Sequence, residues 1–274
     1  MVRVSQRTLY LVDIDLHRQL GQSYKPLENT TLNEKFNVLT TTDIPEKTYP
    51  TIQGFVIGIG GNPVMEGTNN FPFNEHSPID GALFEHIPFA MCPVTEDLTD
   101  EERAKYRLRT IETINNTQFI CYYMRKLTGF ELTTQFSSIR SVMDGESVSV
   151  PTIAAFDNNI TTILNPVPRD RIIRYDTADK TEYVAKLAKI YFVLTEDDNA
   201  KLRKVFEYKG LTNRKITELG MCTGIEVDCD YGKDTIATQI GYHIPMNFEL
   251  IQEVGKGDAI SKIIELGGME PYVY

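Results

Sequence analysis

His76, His86 and Cys92 lie close together in the sequence, and imidazole and thiolate are the usual ligands of zinc. Their spacing offers neither a Cys-x-x-Cys pair nor the His-Glu-x-x-His face of a metalloprotease helix, so no zinc site is expected. A Cys–His nucleophile, Cys92 with His86 for example, needs a base held against the thiol, and nothing singles that pair out. The run Asp228-Cys-Asp230-Tyr-Gly232-Lys-Asp234 alternates carboxylates as a calcium-binding loop does. Its glycine comes one position early for an EF-hand and its flanks read as extended, so a polar hairpin turn is the plainer expectation. Gly54-Phe-Val-Ile-Gly58-Ile-Gly60-Gly61 ends a strand-like run where a phosphate could rest, but Pro63 takes the place of the third glycine of a dinucleotide fingerprint. No helical pattern follows to aim backbone N–H groups at an anion. Glycines that admit close strand packing are the better reading. No Gly-x-Ser-x-Gly elbow occurs. The residues therefore give no expectation of catalysis, and none of a cofactor or a metal.

The elements that would position such groups read mostly as strands. Thr51–Gly60 is apolar and β-branched, as a buried strand is. Tyr106–Ile114 and Thr117–Leu127 flank Asn115-Asn116, a pair that tolerates the left-handed backbone of a tight hairpin. Phe130–Val142 and Ser147–Phe156 flank Asp144-Gly145, and further strands fit Lys189–Leu194, Lys215–Ile225 and Thr235–Ile251. Thr181–Ala188 fits helix and strand equally. Thr99-Asp100-Glu101-Glu102 is a capping box that should start a short helix reaching about Lys105. Thr195 can cap a second helix, Glu196–Tyr208, with Leu202, Val205 and Phe206 on one face and Lys209-Gly210 as its stop. A helical turn is expected around Asp15–Leu20 after an apolar run at Leu9–Ile14, and a last helical pattern at Asp258–Leu266. Hairpins imply antiparallel pairing, so the expected fold is α+β, mostly antiparallel β with a few short helices, an extended N-terminal arm and long loops. The expected division is an arm, strand and Gly/Asn/Pro loop over residues 1–80 and a β-rich body over 81–274, the latter as one piece or as subdomains 81–168 and 169–274.

Composition narrows the function class. A 41% hydrophobic, 24% charged chain of 274 residues can bury a proper core. Its net charge of −10 opposes nucleic-acid binding, which needs basic stripes to replace counterions. No apolar run is long enough to span a bilayer, and the N-terminal residues lack the pattern of a signal peptide. Cys92, Cys121, Cys222 and Cys229 do not form a disulfide framework, so synthesis and assembly in cytoplasm are expected. Two features point to protein partners. Phe71 and Phe73 sit in a long loop, Gly61–Asp80, as anchors for something outside it. Arg103, Lys105, Arg107 and Arg109 alternate out of the first capped helix, either as a basic strip for an acidic neighbour or as partners of the chain's own acids.

Two stretches carry a resemblance. His86-Ile-Pro-Phe-Ala90, Leu98-Thr-Asp-Glu-Glu-Arg103-Ala-Lys-Tyr106-Arg-Leu-Arg109 and Phe119-Ile-Cys-Tyr-Tyr123-Met-Arg-Lys-Leu127 form the first, and Arg214-Lys-Ile-Thr-Glu-Leu-Gly220-Met-Cys-Thr-Gly224 the second. They resemble virion structural proteins of tailed bacteriophages. The resemblance implies a neck, collar, tail or baseplate component, made and assembled in the host cytoplasm, that contacts other virion proteins and symmetry-related copies of itself. It implies no catalytic residue. The alternative is a calcium- or carbohydrate-binding adhesion module built on Asp228, Asp230 and Asp234 and the abundant tyrosines.

Overall fold

The computed structural model describes residues 6–24, 48–61, 76–77, 79–127, 129–141, 147–148, 153–156, 180–212, 214–231, 234–254 and 260–271. Every strand pair whose register is described is antiparallel. With few and short helices, the chain is an α+β protein of mostly antiparallel sheet. It divides into two compact units, Met1–Leu127 with Leu194–Ile260 and Thr128–Val193 with Ser261–Tyr274. This differs from a split near residue 80, because strands distant in sequence pair across any such cut.

The first unit contains β1 (Gln6–Arg7), α1 (Leu9–Leu20), β2 (Thr51–Gly58), β3 (His86–Ile87), β4 (Ala90–Pro93), α2 (Asp100–Arg103), β5 (Tyr106–Ile114) and β6 (Thr117–Lys126). After the second unit's segment it resumes with α3 (Glu196–Tyr208), β11 (Lys215–Tyr231) and β12 (Asp234–Glu253). Its sheet runs β1-β12-β11-β2-β6-β4, with β3 beside β2 and β5 beside β6. In β2 the consecutive residues Phe55, Val56 and Ile57 are all buried, as expected of a central strand covered on both faces. Asn115 (φ 48°) and Asn116 (φ 64°) close the two-residue hairpin between β5 and β6, as their amide side chains foretell. Where sequence reading expects an apolar run and then one helical turn, a single helix, α1, covers both. Strands β11 and β12 also outrun their expected ends. Asp228 and Asp230 lie within β11, opposite Ala237 and Thr235, and Asp234 opens β12 opposite Tyr231. The alternating carboxylates therefore belong to a paired ladder, which continues through them because alternation suits a strand.

The second unit holds β7 (Phe130–Ser141), β8 (Ser147–Val148), β9 (Ile153–Phe156), β10 (Lys180–Leu194, whose last residue belongs to the first unit) and β13 (Ile260–Pro271, whose first residue does). Its sheet runs β13-β10-β7-β8, with β9 beside β7. Thr181–Ala188 resolves as strand, paired rung by rung with β7 from Lys180↔Arg140 to Ile190↔Phe130. The helix expected at Asp258–Leu266 is instead β13. Its apolar spacing suits either state, and pairing with the distant β10 decides between them. Asp144-Gly145, between β7 and β8, lies outside the described residues.

Two capping boxes join the helices to the first unit's sheet. Thr99 Oγ1 accepts from the Glu102 backbone N–H while Glu102 Oε2 accepts from that of Thr99, and Thr195 with Asp198 repeats the arrangement at α3. Lys201 Nζ spans the two, donating to Glu102 Oε1 at 2.8 Å and to Asp197 Oδ2 at 2.7 Å. Leu202, Val205 and Phe206 bury the predicted face of α3, and Val205 joins a core with Val56, Met91, Tyr123 and Cys222. Hydrogen bonds from Lys201 and the Thr99 backbone lower the Glu102 carboxyl from its ordinary 4.5 to about 2. A depressed carboxyl stabilises the fold above its unfolded value and loses that contribution as pH falls toward the folded one. Wild type should therefore melt above Glu102→Gln at pH 6, and the gap should close between about pH 5 and pH 2. Melting curves of both proteins across that range check it, and a gap unchanged at pH 2 would contradict the assignment.

Candidate functional site

Glu218, the fourth residue of β11, has no solvent exposure, yet it carries a carboxylate. Such a group persists away from water only when its lone pairs are filled. Oε2 accepts from the backbone N–H of Gly60 at 2.7 Å and of Glu85 at 3.3 Å. Oε1 accepts from the Phe84 N–H at 2.9 Å and from His76 Nε2 at 2.8 Å. With Oε1 taken as the acceptor, Nε2 is the ring nitrogen that donates. The imidazole is buried, stacks on the Phe84 ring with centroids 4.2 Å apart, and brings Nδ1 to 3.5 Å from Asp80 Oδ2. The Ser77 N–H in turn donates to Asp80 Oδ2 at 2.7 Å. Asp80, His76 and Glu218 thus lie in a row, and only the His76–Glu218 contact is a hydrogen bond.

The glycines singled out from sequence make this arrangement possible. A Cβ on Gly58 would lie 2.5 Å from Glu218 Oε2, and one on Gly60 2.6 Å from the Phe84 Cβ. Both are contacts that only an absent side chain permits. Beside them the Gly61 N–H donates to Thr217 Oγ1 at 3.1 Å. The phosphate-like glycine run therefore cradles the protein's own carboxylate.

A second convergence takes up the basic strip. Asp97 Oδ2 receives Arg109 Nη2 at 3.1 Å and lies 3.5 Å from Arg103 Nη1, while Oδ1 receives Tyr122 Oη at 2.6 Å and the Leu98 N–H at 2.8 Å. Burial opposes ionisation of Asp97, but the bonds from Tyr122, Leu98 and Arg109 outweigh it and lower its carboxyl. Arg103 also pairs with Asp100. Arg107 donates to the Tyr106 and Ala104 carbonyls. So Arg103 and Arg109 meet on Asp97 within the chain, the intrachain half of the sequence expectation, and each stays partly exposed. Phe71 and Phe73 lie outside the described residues.

A third carboxylate, Asp198, is buried at the start of α3 and receives Tyr106 Oη at 3.1 Å and Arg125 Nη2 at 3.2 Å, with Arg125 5.2 Å over the Tyr106 ring. Here the helix cap and the strand pair β5–β6 share one anion. Cys92 contacts Asp97 Oδ1 and the Ile120 carbonyl, both at 3.8 Å, and burial with the nearby Asp97 charge pushes its thiol up. Burial pushes the Cys121 thiol to about 12. A raised thiol holds less thiolate at neutral pH. No group of three or more metal-ligating side chains gathers among the described residues.

Sequence reasoning passed over Glu218, Asp97 and Asp198, since a buried carboxylate has no local signature. One hint existed: the tetrads Glu75-His76-Ser77-Pro78 and Glu85-His86-Ile87-Pro88 echo each other, and both supply a donor to Glu218.

The chain matches a family of unknown function (DUF7208) over residues 1–273. No curated protein and no solved structure matches it. No helix among the described residues is long and apolar enough to cross a membrane.

Glu218→Gln keeps the shape but turns one acceptor into a donor facing backbone N–H groups. Breaking a buried charged network from one side costs about 3–5 kcal/mol, and urea denaturation of the variant should show a loss in that range. A loss below about 1 kcal/mol would mean that the carboxylate does not organise these loops.

Proposed function

The chain belongs to a family of unknown function (DUF7208), and we propose for it a structural role as an assembly component of a tailed-phage virion, in the neck or collar, tail or baseplate. It works through protein–protein contacts, with other virion proteins and with copies of itself in a symmetric oligomer, after synthesis in the host cytoplasm. The observation that carries this reading is the outer part of the β11–β12 hairpin. Pairing of β11 with β2 ends at Gly224↔Thr51, and β1 reaches only Met246 and Asn247 of β12. Beyond those rungs, Ile225–Tyr231 and Asp234–Ile240 are paired only with each other among the described residues.

A bare two-stranded ribbon is marginal in water. Its register sets Ile225, Val227 and Cys229 opposite Ile240, Thr238 and Ile236, and sets Glu226, Asp228 and Asp230 opposite Gln239, Ala237 and Thr235. Apolar types thus gather on one series of rungs and acidic types on the other, a pattern suited to lying against a neighbour. Such a ribbon also presents two strand edges, which natural proteins cover or use for partner strands. The phage setting itself rests on the two stretches of sequence resemblance.

Gradient-purified particles from the genome that encodes the chain should contain it in fixed stoichiometry, and interrupting its gene should leave particles incomplete at one substructure. Complete particles that lack the chain would overturn the proposal.

A further inference from the structure

α1 carries two apolar faces. Ile14 is buried against the first unit, whereas Leu9, Val12, Leu16 and Leu20 are 53%, 50%, 52% and 60% exposed. Their intervals of three, four and four residues set them along one side of the helix, a stripe about 16 Å long. A solvent-facing helix side normally carries polar residues, so an apolar stripe there calls for a partner.

The order of the stripe favours one occupant. Reversed end for end, Leu9 falls opposite Leu20 and Val12 opposite Leu16. A surface that meets its own reverse is what a two-fold contact between identical chains requires. The flanking charges obey the same rule. Asp13 and His17 lie on one flank, 3.3 Å apart as an i,i+4 pair. In an antiparallel pair the same flanks face each other, so Asp13 of one copy meets the imidazole of the other and the reverse. In a parallel pair opposite flanks face each other, and this Asp13–His17 exchange is lost.

We propose that α1 is a self-association surface, packing antiparallel against α1 of a second copy through Leu9, Val12, Leu16 and Leu20. This rests on the assembly reading only in supplying one contact of the symmetric oligomer, and it stands or falls without regard to the phage setting. Four side chains per copy form a smaller patch than the roughly 800 Å² per partner of a standard interface, so the contact is weak and depends on concentration.

Sedimentation equilibrium of the full chain, wild type and V12E/L16E, tests it. Wild type should shift from monomer toward dimer as concentration rises. The variant should need at least tenfold more protein for the same shift, with an unchanged melting temperature because both positions are exposed. Orientation is read separately: chains carrying Leu9→Cys and Leu20→Cys should cross-link when mixed and not alone. A wild type that stays monomeric at every concentration would overturn the inference, as would a variant that associates equally well. Cross-linking of each cysteine chain with itself would overturn the antiparallel geometry. The particle experiment under the preceding heading reads out the assembly role independently, so the two ideas fail by different results.

Discussion

The Glu218 carboxylate holds three separate stretches of chain against one strand. Gly60 follows β2, Phe84 and Glu85 lead into β3, and His76 comes from the segment between them. None of these stretches has enough regular structure to fix its own path, and each gives a donor to the same buried anion. The dependence is mutual, because the carboxylate tolerates its dry position only while all four donors are present. Gly58 and Gly60 follow from the same constraint, since any side chain there would occupy the space that the anion and its donors need. The His76–Phe84 stack then covers the site.

The same logic recurs at smaller scale. Asp97 collects Arg109, Tyr122 and the Leu98 N–H, and Asp198 collects Arg125, Tyr106 and its own helix cap. In an acidic chain, carboxylates matched to several donors join irregular segments to the sheet without disulfide bridges. Much of the sequence's polar chemistry is thereby committed to the fold. The exposed side of α1 is of another kind, an apolar stripe.

Local signals were legible in the sequence where they were self-sufficient. Asn115-Asn116 declares its hairpin through its own backbone preference, and Thr99 and Thr195 declare their helices through hydroxyls that reach the N–H three residues on. The buried run of β2 follows from its apolar, β-branched residues, and the core face of α3 from its helical spacing. What depends on distant residues was not legible. The pattern at Asp258–Leu266 fits a helix until β13 pairs with β10, and each compact unit is assembled from strands far apart in sequence. Glu218 reads as one of many acids until Gly60, Phe84 and His76 arrive around it. The arginines were half legible, their alternation visible and their meeting point on Asp97 not.

Under the assembly role proposed above, neighbours would complete the end of the β11–β12 hairpin, which among the described residues pairs only with itself. Ordering such a segment on contact costs conformational entropy, and burial against the partner has to offset it. Hydrogen exchange of the chain, free and within an assembled particle, tests this most directly. Assembly through the hairpin predicts that the amides of Gly60, Phe84 and Glu85 exchange slowly in both states. Those of 225–240 should exchange fast in the free chain and slowly in the particle. Equal exchange of 225–240 in the two states would contradict it.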